Sequence, residues 1–211
     1  MNLSKLFQTQ KVLDQKIYDR FPGLKEEPWD WKILALLTEL GECANEWRGF
    51  KKWSKDQKPR TKEIIDCSYC IGTGDSNAES NMEMMMEGKD GVPYEACEDC
   101  NETGISGYRN PLLEEYVDCL HFILSIGLEV ECTDYEYESV NVIPDNTKAF
   151  NFLFEQALKL RGAQKDKPIY YLMLHTFLGF GIKNLGFTWD QIESAYFAKN
   201  EVNHVRQAEG Y

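Results

Sequence analysis

The sequence contains no apolar run long enough to cross a bilayer, which takes about 20 residues. Its most apolar stretch, residues 169–182, is shorter than that and includes His175, so it predicts a buried helix. The first residues, MNLSKLFQTQK, lack the apolar core of a secretory signal. We therefore expect a cytoplasmic protein that does not contact a membrane, and in that compartment its seven cysteines stay reduced.

Basic residues are scarce as well. The 23 Lys and Arg stand against 35 Asp and Glu, which gives a formal net charge of −12. Binding to a nucleic-acid backbone needs clustered cations, so a nucleic-acid partner is not expected. If an acidic protein of this kind handles polyphosphates, it needs divalent cations between its carboxylates and the substrate.

The alternation of apolar and polar residues that marks a strand is also missing. Apolar residues recur instead at helical spacing, in residues 3–20, 29–47, 111–127, 147–161, 168–184 and 188–207. Pro111 suits the first turn of a helix, and Thr188 with Gln191 fits a capping box. The acidic stretch 129–143 is expected to be a loop. The sequence thus predicts an all-α bundle of five to six helices.

Two of these helices carry carboxylates at helical spacing. Glu39, Glu42 and Glu46 share one face of the helix over 29–47, and Glu115 and Asp118 share one face of the helix over 111–127. The second of these helices is apolar nearly all round, so it is expected to be buried, and two buried acids are costly without compensation. The glutamates of the first helix, taken alone, could equally form a solvated face.

Hard divalent cations would compensate both sets of acids. Mg²⁺ prefers oxygen ligands and keeps its remaining positions for water and substrate phosphates. Helical bundles place metal ligands on facing helices that project inward. We therefore favour a magnesium site between these two helices.

The last predicted helix carries a polar stripe. Tyr196, Lys199, Asn203 and Arg206 follow one another at spacings of three, four and three residues. A lysine and an arginine on one face, with an amide and a phenol beside them, suit a phosphate chain with a sugar or base. An ordinary amphipathic surface helix would show the same pattern.

Two CxxC pairs bracket a segment poor in apolar residues. The thiols of Cys67, Cys70, Cys97 and Cys100 have the spacing of a closed tetrahedral zinc site. Such a segment has little means to fold without a metal, so structural zinc is favoured over a redox or disulfide role. The run CIGTG at 70–74 resembles the zinc repeat of DnaJ-type chaperones, whereas Glu102 departs from that repeat.

Three blocks of the sequence resemble a known family. The dimeric all-α dUTPases, relatives of the MazG-type pyrophosphatases, are closely similar to LALLTELGECANEWRGFKKWS (34–54), LEEYVDCLHFILSIGL (113–128) and KNEVNHVRQAEGY (199–211). The resemblance implies a homodimer that hydrolyses dUTP, and dUDP as well, to dUMP with Mg²⁺. It also implies a discontinuous catalytic domain, 1–60 and 109–211, interrupted by the cysteine-containing insert 61–108.

The resemblance further implies roles for individual residues. The implied ligands of two or more Mg²⁺ ions are Glu39, Glu42, Glu115 and Asp118. The implied phosphate and nucleotide contacts are Lys199, Asn203, Arg206 and Tyr196. The base is expected near Gln10 and Asp14 on the first helix, stacked on an aromatic side chain, for which Trp53 is preferred over Trp47.

Two other functions stay open at this point. The enzyme could prefer another nucleotide, such as dCTP. Alternatively, the chain could be a pyrophosphatase-like binding or regulatory protein that acts through its zinc module. The insert itself could cover the active site, extend a dimer interface or bind a protein partner.

Overall fold

The computed structural model describes residues 3–133 and 142–210. The chain divides into two compact units. The larger comprises Met1–Pro59 and Leu112–Tyr211, and the smaller is the continuous segment Arg60–Pro111. Most of the predicted loop 129–143 lies outside the described residues.

The larger unit is the predicted helical bundle. Its six α-helices in the described residues are α1 (Leu3–Arg20), α2 (Pro28–Trp47), α4 (Pro111–Val130), α5 (Asn146–Gly162), α6 (Lys167–Gly179) and α7 (Trp189–Glu209). A 3₁₀ turn, Pro22–Lys25, follows α1, and a π turn, Phe180–Asn184, continues α6. The all-α fold class is therefore confirmed.

Local sequence signals set several helix ends. Prolines occupy the first positions of α2 and α4, where a missing N–H costs nothing. At the start of α7 the Thr188 hydroxyl accepts from the Gln191 amide at 3.2 Å, and the Gln191 side chain accepts from the Thr188 amide at 2.9 Å. The predicted capping box is thus present.

Helix α4 is the central element of the core. Its buried residues face several directions, as its apolar sequence predicted: Leu112, Tyr116, Val117, Cys119, Leu120, Ile123, Leu124, Ile126 and Val130. The helix continues to Val130, beyond the predicted end near Gly127. An added Cβ at Gly127 would lie only 2.0 Å from the Tyr170 hydroxyl. The glycine therefore allows close packing against α6 and does not end the helix.

No helix in the described parts of the chain is long and apolar enough to span a membrane. Residues 169–182, the most apolar stretch, instead supply buried side chains of α6 and the following π turn, including Tyr170, Leu174 and Phe177.

The smaller unit contains a short helix and two strands. Helix α3 spans Ala78–Met86, and β1 (Glu63–Asp66) pairs antiparallel with β2 (Ile105–Arg109), with an irregularity at Ile65/Asp66. The expectation of no strands was therefore wrong in this unit. Neither strand buries a side chain. Their sequences therefore lack the alternation of apolar and polar residues that marks a strand with one face in the core.

Candidate active site and four-cysteine centre

Carboxylates from α2 and α4 meet at one place in the helical unit. One oxygen from each of Glu39, Glu42 and Glu115 lies within 4.8 Å of the other two. Glu42 is exposed, while Glu39 and Glu115 are half-buried. The helical spacing of the acids on each helix therefore brings three of the four predicted magnesium ligands together.

The acidic cluster is electrostatically unfavourable without a cation. Burial, together with the charges of neighbouring acids such as Asp118 and Glu42, raises the pKa of both Glu39 and Glu115 to about 7. The donor set consists of carboxylate oxygens alone, which is the chemistry that Mg²⁺ prefers. The residues present therefore fit a hard divalent cation.

Asp118, the fourth predicted ligand, is paired with a lysine. Its Oδ2 atom accepts a hydrogen bond from Lys199 Nζ of α7 at 2.5 Å. Burial raises the pKa of Asp118, although the hydrogen bond and charge of Lys199 act in the opposite direction. The pair joins the predicted metal-binding helix α4 to the predicted phosphate-binding helix α7.

A cavity of about 320 Å³ connects the predicted site segments. Glu39 and Asp118 line it at the acidic cluster. Helix α7 contributes Lys199, Asn203 and Arg206 to the wall, and α1 contributes Gln10 and Asp14. The remaining wall residues are Leu13, Ile17, Trp31, His121, Phe122, Ser125 and Gln207. Residues far apart in sequence thus share one cavity of a size suited to a small molecule.

Gln10 is held rigidly in the cavity wall. Its side chain is almost fully buried and donates to Asp14 Oδ1 at 2.7 Å. Its carbonyl oxygen accepts from the Tyr196 hydroxyl at 2.8 Å. Tyr196 itself is fully buried and is not among the described residues that line the cavity. The structure therefore places Tyr196 behind Gln10, where it fixes the amide.

The predicted stacking residue lies elsewhere. Trp53 is 79% exposed and packs edge-on against Phe50, with ring centroids 5.8 Å apart. It does not appear among the described residues that line the cavity. Trp47, the less favoured candidate, packs against Phe150 in the core.

His121 is a further residue of the cavity wall. Its Nδ1 atom lies 2.8 Å from the Val117 carbonyl oxygen, and its ring stacks on Tyr196. Burial lowers the pKa of His121 to about 4, so the ring is neutral at pH 7. A carbonyl can only accept, so Nδ1 carries the proton and Nε2 is an acceptor.

That Nε2 atom is buried and has no hydrogen-bond partner among the residues described. A buried acceptor without a partner is costly unless a ligand supplies the donor. His121 follows Asp118 by three residues on the same helix, and this spacing is the sequence signal that could have identified it.

A buried lysine, Lys32, forms ion pairs with Asp14 of the cavity wall and with Glu129. Lys32 Nζ lies 2.7 Å from Glu129 Oε1 and 3.4 Å from Asp14 Oδ2. Asp14 Oδ2 also accepts from the Ser125 hydroxyl at 2.6 Å. This network compensates the buried charges and holds α1, α2 and α4 together around the wall.

The smaller unit holds a second cluster of possible metal ligands. All four cysteines are buried, and their sulfur atoms, those of Cys67, Cys70, Cys97 and Cys100, lie within 4.8 Å of one another. Four thiols gathered in this way suit tetrahedral zinc, so the cluster could bind that ion.

The two cysteine knuckles repeat each other at an offset of 30 residues. The amide of Gly74 donates to Cys70 Sγ and that of Gly104 donates to Cys100 Sγ, both at 3.2 Å. The sequence departs from this repeat at Glu102, which stands where the first knuckle has Gly72. Both residues have positive φ, +65° for the glutamate and +80° for the glycine.

Comparison with known proteins identifies the family. The family model described as dUTPase matches residues 2–82 and 104–211. The match includes both acidic helices, the cavity wall and α7. It also includes Cys67 and Cys70, whereas Cys97 and Cys100 lie in the unmatched segment 83–103. No curated protein and no solved structure matches the chain. Because one family model spans most of the sequence and every element of the acidic cavity, the chain belongs to the dUTPase family.

Proposed function

We propose that this protein is a Mg²⁺-dependent dUTP diphosphatase that hydrolyses dUTP, and dUDP as well, to dUMP, releasing pyrophosphate from the triphosphate. The observation that carries the proposal is the meeting of Glu39, Glu42 and Glu115 beside a cavity lined by Lys199 and Arg206. Family membership supports a nucleotide substrate.

The acids of α2 and α4 hold the metal in this proposal. Glu39, Glu42 and Glu115 supply carboxylate oxygens from one cluster, and Asp118 supplies a further one beside it. Bound Mg²⁺ would neutralise the polyphosphate and stabilise negative charge on the departing pyrophosphate. With four carboxylates available, we expect two or more ions.

The chain's own cations bind the phosphates. Lys199 and Arg206 lie two helical turns apart on α7 and line the same cavity. Asn203 lies between them and offers both a donor and an acceptor to the nucleotide. In the structure Lys199 is engaged by Asp118, so its ammonium group is already fixed at the junction of the acidic and cationic walls.

One glutamate of α2 accepts a proton from the attacking water. Glu39 and Glu42 are the two candidates, because both belong to the acidic cluster and project from the same helix. Proton acceptance near neutral pH requires a carboxylate more basic than usual. Partial burial and neighbouring negative charge raise the pKa of Glu39 in this way.

Two fixed polar groups provide a means of selecting the base. Neutral His121 offers an unpartnered acceptor at Nε2, and Gln10 presents an amide held by Asp14 and Tyr196. Uracil carries a hydrogen on N3, whereas cytosine has a lone pair there. A fixed acceptor therefore favours uracil and opposes cytosine. Stacking of Trp53 on the base stays a prediction from the family resemblance, since Trp53 is not among the described residues that line this cavity.

The smaller unit is proposed to bind structural zinc. Cys67, Cys70, Cys97 and Cys100 form a closed donor set with no position for a substrate. They are also the buried hydrophobic cluster of this unit, so its folding is expected to depend on the ion. The proposal places the protein in a reducing compartment, the cytoplasm.

A nucleotide panel tests the function. Purified protein is incubated with Mg²⁺ and dUTP, dUDP, dCTP or dTTP, and pyrophosphate or phosphate release is measured. We expect dUTP to be preferred and turnover to vanish in Glu42→Gln. A preference for dCTP would contradict the proposal that the enzyme selects uracil. Unchanged turnover in Glu42→Gln would show that the acidic cluster takes no part in the reaction.

The homodimer implied by the family resemblance is proposed as well. Sedimentation velocity gives a direct answer, because the protomer mass is 24.5 kDa. A species of twice that mass supports the dimer, and a monomer at micromolar concentration contradicts it.

A further inference from the structure

The smaller unit, Arg60–Pro111, carries large apolar side chains on its surface. Its buried hydrophobic cluster consists of the four cysteines alone. Helix α3 buries none of its residues, and Met85 and Met86 are 75% and 82% exposed. These methionines therefore add nothing to the folding of the unit through burial.

The exposed methionines form one wall of a groove. Met82, Met85 and Met86 are spaced three and four residues apart, so they share one face of α3. Together with Ile71 of the first cysteine knuckle they line a groove of about 570 Å³. Unbranched, polarisable methionine side chains adapt to partners of different shape, and surfaces that bind helices use them for that reason.

The charge around the groove restricts what can occupy it. Residues 60–111 contain eleven acidic and four basic side chains, a net charge of −7. Helix α3 itself carries Glu79 and Glu83 and no basic residue. This charge repels phosphate backbones and anionic lipid surfaces, and it attracts a cationic partner.

We infer that this methionine groove docks a basic amphipathic helix of a partner protein. Apolar side chains at helical spacing on the partner would enter between Ile71 and the methionines, and its lysines or arginines would face Glu79 and Glu83. The apolar lining of the groove comes from Ile71 and one face of a single short helix, so we expect weak binding, on the order of micromolar. The interaction is independent of dUTP hydrolysis.

Defined peptides test the inference on the full zinc-loaded chain. The probe is a labelled helical peptide of about 15 residues, built from leucine and lysine at amphipathic spacing. A second peptide has glutamate in place of every lysine. Fluorescence anisotropy compares the wild type with the double variant Met85→Gln/Met86→Gln. The matched control is Leu158→Gln, because Leu158 is also an exposed apolar residue on a helix, 53% exposed, and lies in the larger unit.

We expect the lysine peptide to bind at least tenfold more weakly to the double variant and equally well to the control. The glutamate peptide should not bind. Zinc content and dUTP turnover of the double variant should match those of the wild type. Because turnover is measured separately from peptide binding, an absence of dUTP hydrolysis would contradict the proposed function without affecting the docking inference. Equal peptide affinity for wild type and double variant overturns the inference. Self-association of the wild type that the double variant lacks also overturns it, in favour of a second copy of the chain.

Discussion

Neutralising one member of the acidic cluster should stabilise the metal-free protein while abolishing its activity. Glu115→Gln removes a negative charge that lies within 4.8 Å of oxygens from Glu39 and Glu42. At that separation each repulsion costs about 1 kcal/mol in water-like surroundings and about 3 kcal/mol at an effective dielectric of 20. Because Glu42 is exposed and the other two are half-buried, the lower figure applies. The two repulsions together amount to about 2 kcal/mol, and the variant also loses the attraction of Lys199 for Glu115, so we expect a net gain of about 1 kcal/mol.

For a domain of this size that gain raises Tm by about 2–4 °C. Differential scanning fluorimetry of the zinc-loaded protein in buffer without Mg²⁺, at about pH 8, measures it, with the exposed-helix change Glu201→Gln as the control for loss of any surface carboxylate. Mg²⁺ should reverse the order, because wild type gains about 1.4 kcal/mol at ten times Kd and the variant gains less. A lower Tm for Glu115→Gln than for Glu201→Gln in this Mg²⁺-free buffer would show that the three carboxylates do not repel one another.

Without metal, Glu39 and Glu115 stabilise the fold only while protonated, so their contribution is lost as pH rises from about 4.5 to 7. Buried His121 acts in the opposite direction because its pKa is lowered, so the measured quantity is the Tm of wild type minus that of Glu115→Gln, which should fall over this range. Saturating Mg²⁺ should flatten this profile. His121→Phe keeps the stacking on Tyr196 but removes Nε2, so kcat/KM for dUTP over dCTP should fall about tenfold, and an unchanged ratio would exclude a direct contact. Glu102→Gly relieves a left-handed backbone and should make the zinc-loaded unit more resistant to chelators and proteolysis, by about 1 kcal/mol; a less resistant variant would contradict this.

Helix periodicity and capping signals were sufficient to predict the six helices of the larger unit. They succeeded because most of those helices have one apolar face directed at the core, and because proline and the Thr188 box mark helix starts directly. The end of α4 was predicted too early, since a glycine can mark either a helix end or a close approach. Only the position of Tyr170 against Gly127 distinguishes the two.

The acids and cations of the candidate site were predictable from helical spacing together with the family resemblance. The sequence placed Gln10 near the base, but the hydrogen bond between Gln10 and Tyr196 and the position of His121 in the cavity wall were not predictable, because they depend on how α1, α4 and α7 pack. Tyr196 lies on the predicted polar stripe, yet its hydroxyl reaches Gln10 inside the bundle. The partnerless Nε2 of His121 can be recognised only once the surrounding atoms are known.

In the smaller unit the cysteine spacing predicted the four-thiol cluster, but not the strands that support it. Strands β1 and β2 are too exposed to show a core-facing pattern. The sequence indicated the repeat of the two cysteine pairs, with Glu102 as its departure, but not how closely the two knuckles match in structure. This match is visible in the equivalent amide-to-sulfur hydrogen bonds of Gly74 and Gly104.

The proposed function depends on the binding of the catalytic cations by the acids of α2 and α4. The most direct test is the anomalous signal of Mn²⁺ in crystals grown with a non-hydrolysable dUTP analogue. We expect manganese within about 2.0–2.3 Å of carboxylate oxygens from Glu39, Glu42 and Glu115, with the phosphates on its other side toward Lys199 and Arg206. Manganese bound away from these glutamates, with the analogue present, would contradict it.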